Sequence, residues 1–414
     1  MPHNHSALAG LTVFHLAQPV GGGVARTVTE LVRAQVRGGA RVVVACPDPS
    51  DRSDPSGRRP AALPPAVEGA LLEPALPATA AEAGAEVVRW AARRSPGAGL
   101  AREVAGARRL IRAARPDLLH LHSAKAGLAG RLAVRGAVPT VFQPHAWSYE
   151  AVGGLTARAA VRWEGRAARW SDRVLCVSQA ERASGEAHGI RAAWAVVPNG
   201  VDTARFTPAP RRDAVRASLP ALSGLGPTTP LVVCVGRLCP QKGQDVLLRA
   251  WPEVAARLPQ ARLALVGDGP DHVRLLRDAP GNVTLAGAAY DTAPWYQAAD
   301  VVVLPSRWEG MALAPLEAMA CGRPVVVTDV GGARESVPPA DRSVCVVPVA
   351  DERALAAALV RLLTAPALRT AAGLRALAHV RARHDVRRST EAVTGLYRDL
   401  LALPRSAPTA RATR

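Results

Sequence analysis

Residues 305–327 read PSRWEGMALAPLEAMACGRPVVV, and this stretch decides how the chain is organised. It follows an apolar run at 301–304 and ends in a second one at 324–327. Short apolar runs on either side of a helical segment predict buried parallel strands joined by a helix. Pro315 fits a first helical turn and not a helix interior, so it marks the helix start. The backbone N–H groups of Gly310, Met311, Ala312 and Leu313 then lack helical partners and suit an anion. Glu309 stands before these donors in a Gly-containing turn. Glu317 stands eight residues on, inside the helix, in what reads as its first turn. Anion donors between two carboxylates suit a ligand that carries both phosphate and hydroxyl groups.

Outward from this stretch the same alternation repeats in two halves. Strand-like runs lie at 11–16, 41–46, 117–121, 139–143, 173–177 and 195–197, then at 231–235, 262–266, 283–285, 301–304, 324–327 and 344–347. Helical patterns fill the intervals, which predicts an α/β chain with two parallel sheets. Residues 51–83, rich in Pro and Ala and without a period, read as one long loop. Gly- and Pro-containing sequence at 211–230 joins the halves, so the expected domains are 1–205 and 206–388. A last helical run at 389–403 follows the second sheet, and 404–414 reads as a disordered tail. With 414 residues, 49% of them apolar, the chain can bury two cores. No apolar run approaches the roughly 18 residues that span a bilayer. The N-terminus lacks the basic region of a signal peptide.

Lysine and arginine outnumber the acids by 52 to 34, a net charge of +18. Nucleic acid, an anionic membrane surface and phosphorylated ligands all suit that balance. The cations are spread over both halves and are almost all Arg, in a chain rich in Ala, Gly and Pro. That is the mark of GC-biased coding, so charge alone selects no partner. Interleaved aromatics are missing, which argues against stacking on single-stranded nucleic acid. Against this bias the lysines are informative. Only Lys125 and Lys242 occur, each in a short segment between a strand and a helix. A compact ammonium there suits a phosphate. The six cysteines form no CxxC pair and read as small buried thiols of a reducing cytoplasm.

Several Gly turns follow strands. Gly21, Gly22 and Gly23 open the first helix, as a tight turn or as a loop that lets a ligand approach. Position 26 is Arg, and no acid ends the second strand, so a dinucleotide fingerprint is not met. In GRLCPQKG (236–243), Arg237 and Lys242 gather two cations at a helix start, either as a solvated loop or as a diphosphate site. Gly267 and Asp268 form another strand–turn–helix junction, where Asp268 alone could be a cap. Asn199 lies in VPNGVD (197–202), an ordinary turn by itself but placed where the halves meet. His145 follows a strand in QPHAW. His120 and His122 face one side of a strand, with no third ligand evident for a metal. No Asp-x-Asp pair is present to hold a metal-bound diphosphate, so Arg237 and Lys242 would have to neutralise it. Arg158, Arg162, Arg166, Arg169 and Arg173 make one stripe along a helix, as a solvated face or as a contact for anionic lipid headgroups.

In this order the segments resemble the retaining glycosyltransferases of family 4. The likeness runs from the Gly-rich loop to the final helix. It rests most on EGMALAPLEAMACGRPVV with its Glu-x7-Glu spacing, supported by GRLCPQKG and VPNGVD. It implies the GT-B fold: two Rossmann-like domains, a cleft between them, and a C-terminal helix that returns to the first domain. It implies that Arg237 and Lys242 hold the diphosphate of a nucleotide-sugar donor, with Gly310, Met311, Ala312 and Leu313 beside it. Glu317 would take the ribose hydroxyls, and Glu309 and His145 would meet the donor sugar. Gly267, Asp268 and Gly287 would lie near the base. Gly21, Gly22, Gly23, Lys125 and Asn199 would line the acceptor side. No metal and no cofactor are implied, since the sugar nucleotide is a substrate. The expected acceptor is a hydroxyl compound, lipid-linked acceptors included, in bacterial polysaccharide, glycolipid or glycosylated-metabolite synthesis. The expected place is the cytoplasm, with the inner face of the membrane as a peripheral surface. Members commonly carry Gly and Phe where this chain has Ala312 and Met311, so the Ala312 methyl is expected to crowd a backbone that approaches the ligand. Two alternatives stand beside this reading: a sugar-nucleotide 2-epimerase of the same fold, and a basic protein that binds a membrane surface or nucleic acid.

Overall fold

The computed structural model describes residues 8–48, 75–93 and 97–402. A first sheet holds Thr12–Ala17 (β1), Arg41–Cys46 (β2), Glu86–Arg89 (β3), Leu118–His122 (β4), Thr140–Gln143 (β5), Arg173–Cys176 (β6) and Trp194–Val196 (β7). A second holds Leu231–Val235 (β8), Arg262–Val266 (β9), Val283–Gly287 (β10), Val301–Leu304 (β11), Val325–Thr328 (β12) and Val346–Val347 (β13). All pairings are parallel, in the orders β3-β2-β1-β4-β5-β6-β7 and β10-β9-β8-β11-β12-β13. The helices of the first half are Gly22–Arg37 (α1), Leu76–Glu82 (α2), Leu100–Ala114 (α3), Ser123–Val134 (α4), Gly154–Ala167 (α5) and Gln179–Ala187 (α6). Those of the second are Arg212–Ser218 (α7), Gln244–Arg257 (α8), His272–Asp278 (α9), Ala293–Ala298 (α10), Leu313–Ala320 (α11), Ala333–Ser336 (α12), Arg342–Cys345 (α13), Glu352–Thr364 (α14) and Pro366–Arg383 (α15). Val386–Ala402 (α16) closes the described chain. The fold is thus two Rossmann-like α/β units, as the strand–helix alternation implies.

Each strand is apolar because helices cover both faces. β8 is buried along its whole length, the pattern of a parallel strand with two covered sides. On the first sheet, Phe14 and Leu16 pack with Ile111 of α3 and Ala126 of α4. Val13 and Ala17 face the other way and pack with Val28 and Leu31 of α1. The same cluster holds Val393, Tyr397 and Leu400, so α16 leaves the second half and docks on the first. Each such apolar side chain contributes roughly 1.5–3 kcal/mol by its burial, enough to hold the returning helix in place.

The two connections between the halves run side by side. Val201 bridges Asp385, with Val201 N–H donating to His384 O (2.8 Å) and Val386 N–H to Val201 O (3.0 Å). Gly200 is required here by space: a Cβ would stand 2.7 Å from both Ser389 Oγ and Val386 Cα. In both sheets the strand order reverses beside the first strand of the unit, between β1 and β4 and between β8 and β11. Loops diverge at such a point and leave a crevice at the carboxyl ends of the strands.

The sequence reading needs several corrections. Residues 51–83 are not a single loop, because α2 begins at Leu76, and β3 follows unforeseen. α2 offers the first sheet only Leu76 and Ala80 as buried residues, and β3 is a short edge strand with no fully buried position, so neither has a strong period. The part at 51–74 lies outside the described residues. The 211–230 connection contains α7. The run at 344–347 is helical at its start, in α13, and extended only at Val346–Val347. The final helix starts at Val386, and the expected tail at 404–414 lies outside the described residues. The Arg stripe is not one helix: Arg158, Arg162 and Arg166 are exposed on α5, Arg169 sits in the next turn, and Arg173 opens β6. Among the described residues, no single helix is long and apolar enough to cross a membrane.

Candidate active site

At the reversal point of the second sheet, the loop after β8 meets the loop after β11. Gly243 ends the first loop with φ +68°, and a Cβ there would stand 2.0 Å from Pro305 O. Only glycine satisfies both the left-handed backbone and that contact. The close approach sets Lys242 against Glu309. The Lys242 ammonium bonds Glu309 Oε1, and Ser306 Oγ donates to the same oxygen (2.8 Å). Arg237 is exposed on the same loop. Gly267 packs on Gly236, where a Cβ would come within 2.1 Å of Gly236 O, and its N–H donates to Gly287 O (2.8 Å). The Gly turns that end β8, β9 and β10 thus stand in a row. The Asp268 carboxylate accepts from Gly269 N–H (2.7 Å) and lies 3.3 Å from His272 Nδ1, so it shapes its own turn.

Helix α11 starts at Leu313, with Ala312 as its cap residue in an ordinary extended conformation (φ −70°, ψ 140°). The Ala312 methyl therefore needs no unusual backbone. Glu317 lies in the second turn and not the first, and it is buried. Both of its oxygens are engaged. Tyr296 Oη donates to Oε2 (2.7 Å), and Arg26, reaching from α1 in the other half, pairs with Oε1. A carboxylate oxygen has a second lone pair, so each can still accept a hydroxyl. Gly21, Gly22, Arg26, Asn199, Leu313 and Glu317 are among the walls of a cleft of about 400 Å³ between the halves. A Cβ on Gly23 would lie 3.6 Å from Leu313. Lys242 and Glu309 are not among the walls of this cleft.

His145 is carried to the same interface by strained backbone. His145 and Ala146 both have positive φ (56° and 103°), conformations that persist only where the surroundings impose them. The surroundings here are Glu181: Oε1 accepts from Ala146 N–H (2.6 Å), Oε2 from Val177 N–H (2.7 Å), and the Glu181 carbonyl from Trp147 Nε1–H (2.7 Å). The loop then touches the opposite half, since a Cβ on Gly310 would lie 3.0 Å from Ala146 N. Further bonds cross at this point. Ser178 Oγ donates to Gly310 O (3.2 Å) and Asn199 Nδ2 to Met311 O (2.7 Å). Glu335 caps the start of α6 by accepting from Gln179 and Ala180 N–H (2.8 Å each), where the helix dipole favours a carboxylate.

Burial pushes the Glu181 carboxyl up to about 7, against the lowering effect of its two backbone donors. An acid whose folded pKa is raised binds more protons folded than unfolded, so stability falls with rising pH between the two values. We expect Glu181→Gln to flatten a decline in melting temperature that the wild type shows from about pH 4.5 to 7. Parallel slopes in the two proteins over that window would refute this role.

One expected residue falls elsewhere. Lys125 is buried in α4 and paired with Glu103 of α3 (2.5 Å), a link between helices, and it is not among the walls of the cleft. His120 and His122 do have a third neighbour, contrary to the sequence reading. Ring nitrogens of His15, His120 and His122 lie within 4.8 Å of one another, close enough for three imidazoles to share a cation. His15 and His122 instead bond each other (2.9 Å). Arg26, Tyr296, Glu181 and Glu335 escaped the sequence reading. Arg26 and Glu317 are 291 residues apart, and no local pattern signals such a pair. All six cysteines are free thiols, and five are buried.

A family profile described as "Glycosyltransferase Family 4" matches residues 21–205, and one described as "Glycosyl transferases group 1" matches residues 229–365. A GDP-mannose-dependent monoacylated alpha-(1-6)-phosphatidylinositol monomannoside mannosyltransferase of Corynebacterium glutamicum is 40% identical over 200 residues, 45% of this chain and 51% of that protein. A D-inositol 3-phosphate glycosyltransferase of Kineococcus radiotolerans is 35% identical over 292 residues, 63% of this chain and 66% of that protein. The chain thus spans about half to two thirds of the length of these curated relatives. Among solved structures, sucrose-phosphate synthase from Thermosynechococcus elongatus superposes with a TM-score of 0.75 at 23% identity, covering 95% of this chain and 99% of that one. That likeness establishes the GT-B fold.

Proposed function

We propose, on the premise that this chain belongs to glycosyltransferase family 4, that it moves a sugar from a nucleotide-sugar donor to a hydroxyl acceptor, with retention of configuration and without a bound metal. The observation that carries the reading is the Lys242–Glu309 pair at the reversal point of the second sheet, with the His145 loop closing on it through Gly310. The donor diphosphate takes the Lys242 ammonium from Glu309, with Arg237 as second cation and the N–H groups at the start of α11 as donors. Glu309, released, accepts from the donor sugar, and His145 meets that sugar from the other half. Glu317 receives the ribose diol. Departure and attack occur on the same face, and the leaving phosphate takes the acceptor proton. The chain's contribution is positioning and charge stabilisation.

The relatives' names speak of GDP-mannose, phosphatidylinositol mannosides and inositol phosphate. Carried to this chain, they make GDP-mannose the first donor to try, and inositol phosphates and phosphatidylinositol the first acceptors. A lipid acceptor would bring a cytoplasmic enzyme to the inner membrane face, with exposed Arg158, Arg162 and Arg166 as candidate headgroup contacts. The test is nucleotide release from GDP-, UDP- and dTDP-sugars with these acceptors, with the product anomer read by NMR. Release with one donor base and only with acceptor is expected, with retained configuration. Isomerised donor without acceptor, and no transfer, would mark a 2-epimerase instead.

A further inference from the structure

Beneath the cleft runs a chain of buried imidazoles. His15 on β1 pairs in register with His120 on β4, and His122 pairs with Gln143 at the end of β5, two residues before His145. His15, His120 and His122 have no solvent exposure. His145 Nε2 lies 3.1 Å from His122 Nδ1, His122 Nε2 lies 2.9 Å from His15 Nδ1, and His15 Nε2 lies 2.7 Å from Gln35 Oε1. Gln35 is itself buried on α1, and its Nε2 donates to Tyr397 Oη of α16 (3.4 Å). Tyr397 Oη in turn lies 2.6 Å from His120 Nδ1.

Burial lowers the pKa of every ring in the chain, to about 4 for His15 and about 3 for His145, with His120 and His122 well below the ordinary value. Each ring therefore carries one proton, and a neutral imidazole donates from one nitrogen and accepts at the other. One fixed acceptor then sets the direction of the whole line. Gln35 Oε1 can only accept, so the His15 proton is on Nε2 and its Nδ1 accepts from His122 Nε2–H. His122 Nδ1 then accepts from His145 Nε2–H, and the lone pair of His145 is on Nδ1.

We propose that this relay is a tautomer lock: Gln35, His15 and His122 hold His145 in its Nε2–H form, so that Nδ1 accepts a hydrogen bond from a donor-sugar hydroxyl. The sugar contact rests on the function proposed above, whereas the lock itself does not. Gln35, His15 and His122 are positioning residues, since they act through His145. Were the Gln35 amide turned over, the line would reverse and His145 would present a donor in place of an acceptor. The lock thus predicts a sign, not only an effect.

The experiment is nitrogen NMR of the full, ligand-free chain with labelled histidine. The expected wild-type spectrum has a protonated Nε2 and a bare Nδ1 on His145. Gln35→Leu should populate both tautomers. Gln35→Glu, which keeps an acceptor toward His15, should restore the wild-type form. With the donor found by the release screen, Gln35→Leu should lower kcat at least about tenfold, a modest part of the loss known when a tautomer-setting partner is removed, and leave nucleoside diphosphate affinity unchanged. A proton on Nδ1 of wild-type His145 overturns the lock even if Gln35→Leu does not fold. So does a tautomer that Gln35→Leu leaves unchanged. The spectrum needs no substrate, so a failed transfer screen with an intact lock refutes the transfer reading and not the relay.

Discussion

Replacing Glu317 by alanine is expected to raise the Kd of the donor nucleotide by about 10²- to 10⁴-fold. Two charge-assisted hydrogen bonds to a ribose diol are at stake, each roughly 1.5–3 kcal/mol. Titration calorimetry with the nucleoside diphosphate measures it directly. A change within about threefold would remove Glu317 from the site. The variant also takes the Glu317 carboxylate away from Arg26, but that side chain is 26% exposed and water can reach it. The stability loss should therefore stay near 1–2 kcal/mol, below the cost of breaking a fully buried pair. Tyr296→Phe separates orientation from charge, because it removes only the bond to Oε2. One neutral donor lost corresponds to roughly 1 kcal/mol, so its affinity should fall about fivefold.

Lys242→Ala should lower kcat/KM by about 10²- to 10³-fold, the range found when one preorganised group facing developing charge is removed. Lys242→Arg should recover only part of it. The ammonium shares Glu309 Oε1 with Ser306 Oγ and stands on a loop pinned by Gly243, and a planar guanidinium is broader and less compact. Glu309→Gln should also be impaired, and the double variant should lose less than the sum of the singles, because the two groups are paired without ligand. Strict additivity would show that the pair has no joint role. Wild-type kcat/KM in Lys242→Ala would sink the placing of the diphosphate.

Much of this site was legible in the chain. The Glu309–Glu317 spacing, the Gly turn before Lys242 and the Asn199 segment are local patterns, each fixed by a strand end and a helix start. β2, β8, β9 and β11 were readable at their observed limits, because buried parallel strands are apolar along their length. What misled were features whose meaning depends on a distant partner. Lys125 resembles Lys242 in its sequence setting, yet Glu103 on a neighbouring helix turns it into a buried pair. β3 and α2 were missed because an edge strand and a short helix need few apolar residues.

The sequence by itself determined the two α/β halves, the helix that follows them, and which residues could serve a phosphate and hydroxyls. Periodicity and turn chemistry act over a few residues, so they survive in a linear reading. Only the tertiary structure decided which charges meet: Arg26 with Glu317 across 291 positions, Glu181 beneath the His145 loop, Glu335 on α6, and three strand histidines joined to Gln35 and Tyr397. Such pairs arise where the halves close and where α16 returns, and a hydrogen bond depends on distance in space, which sequence separation does not record.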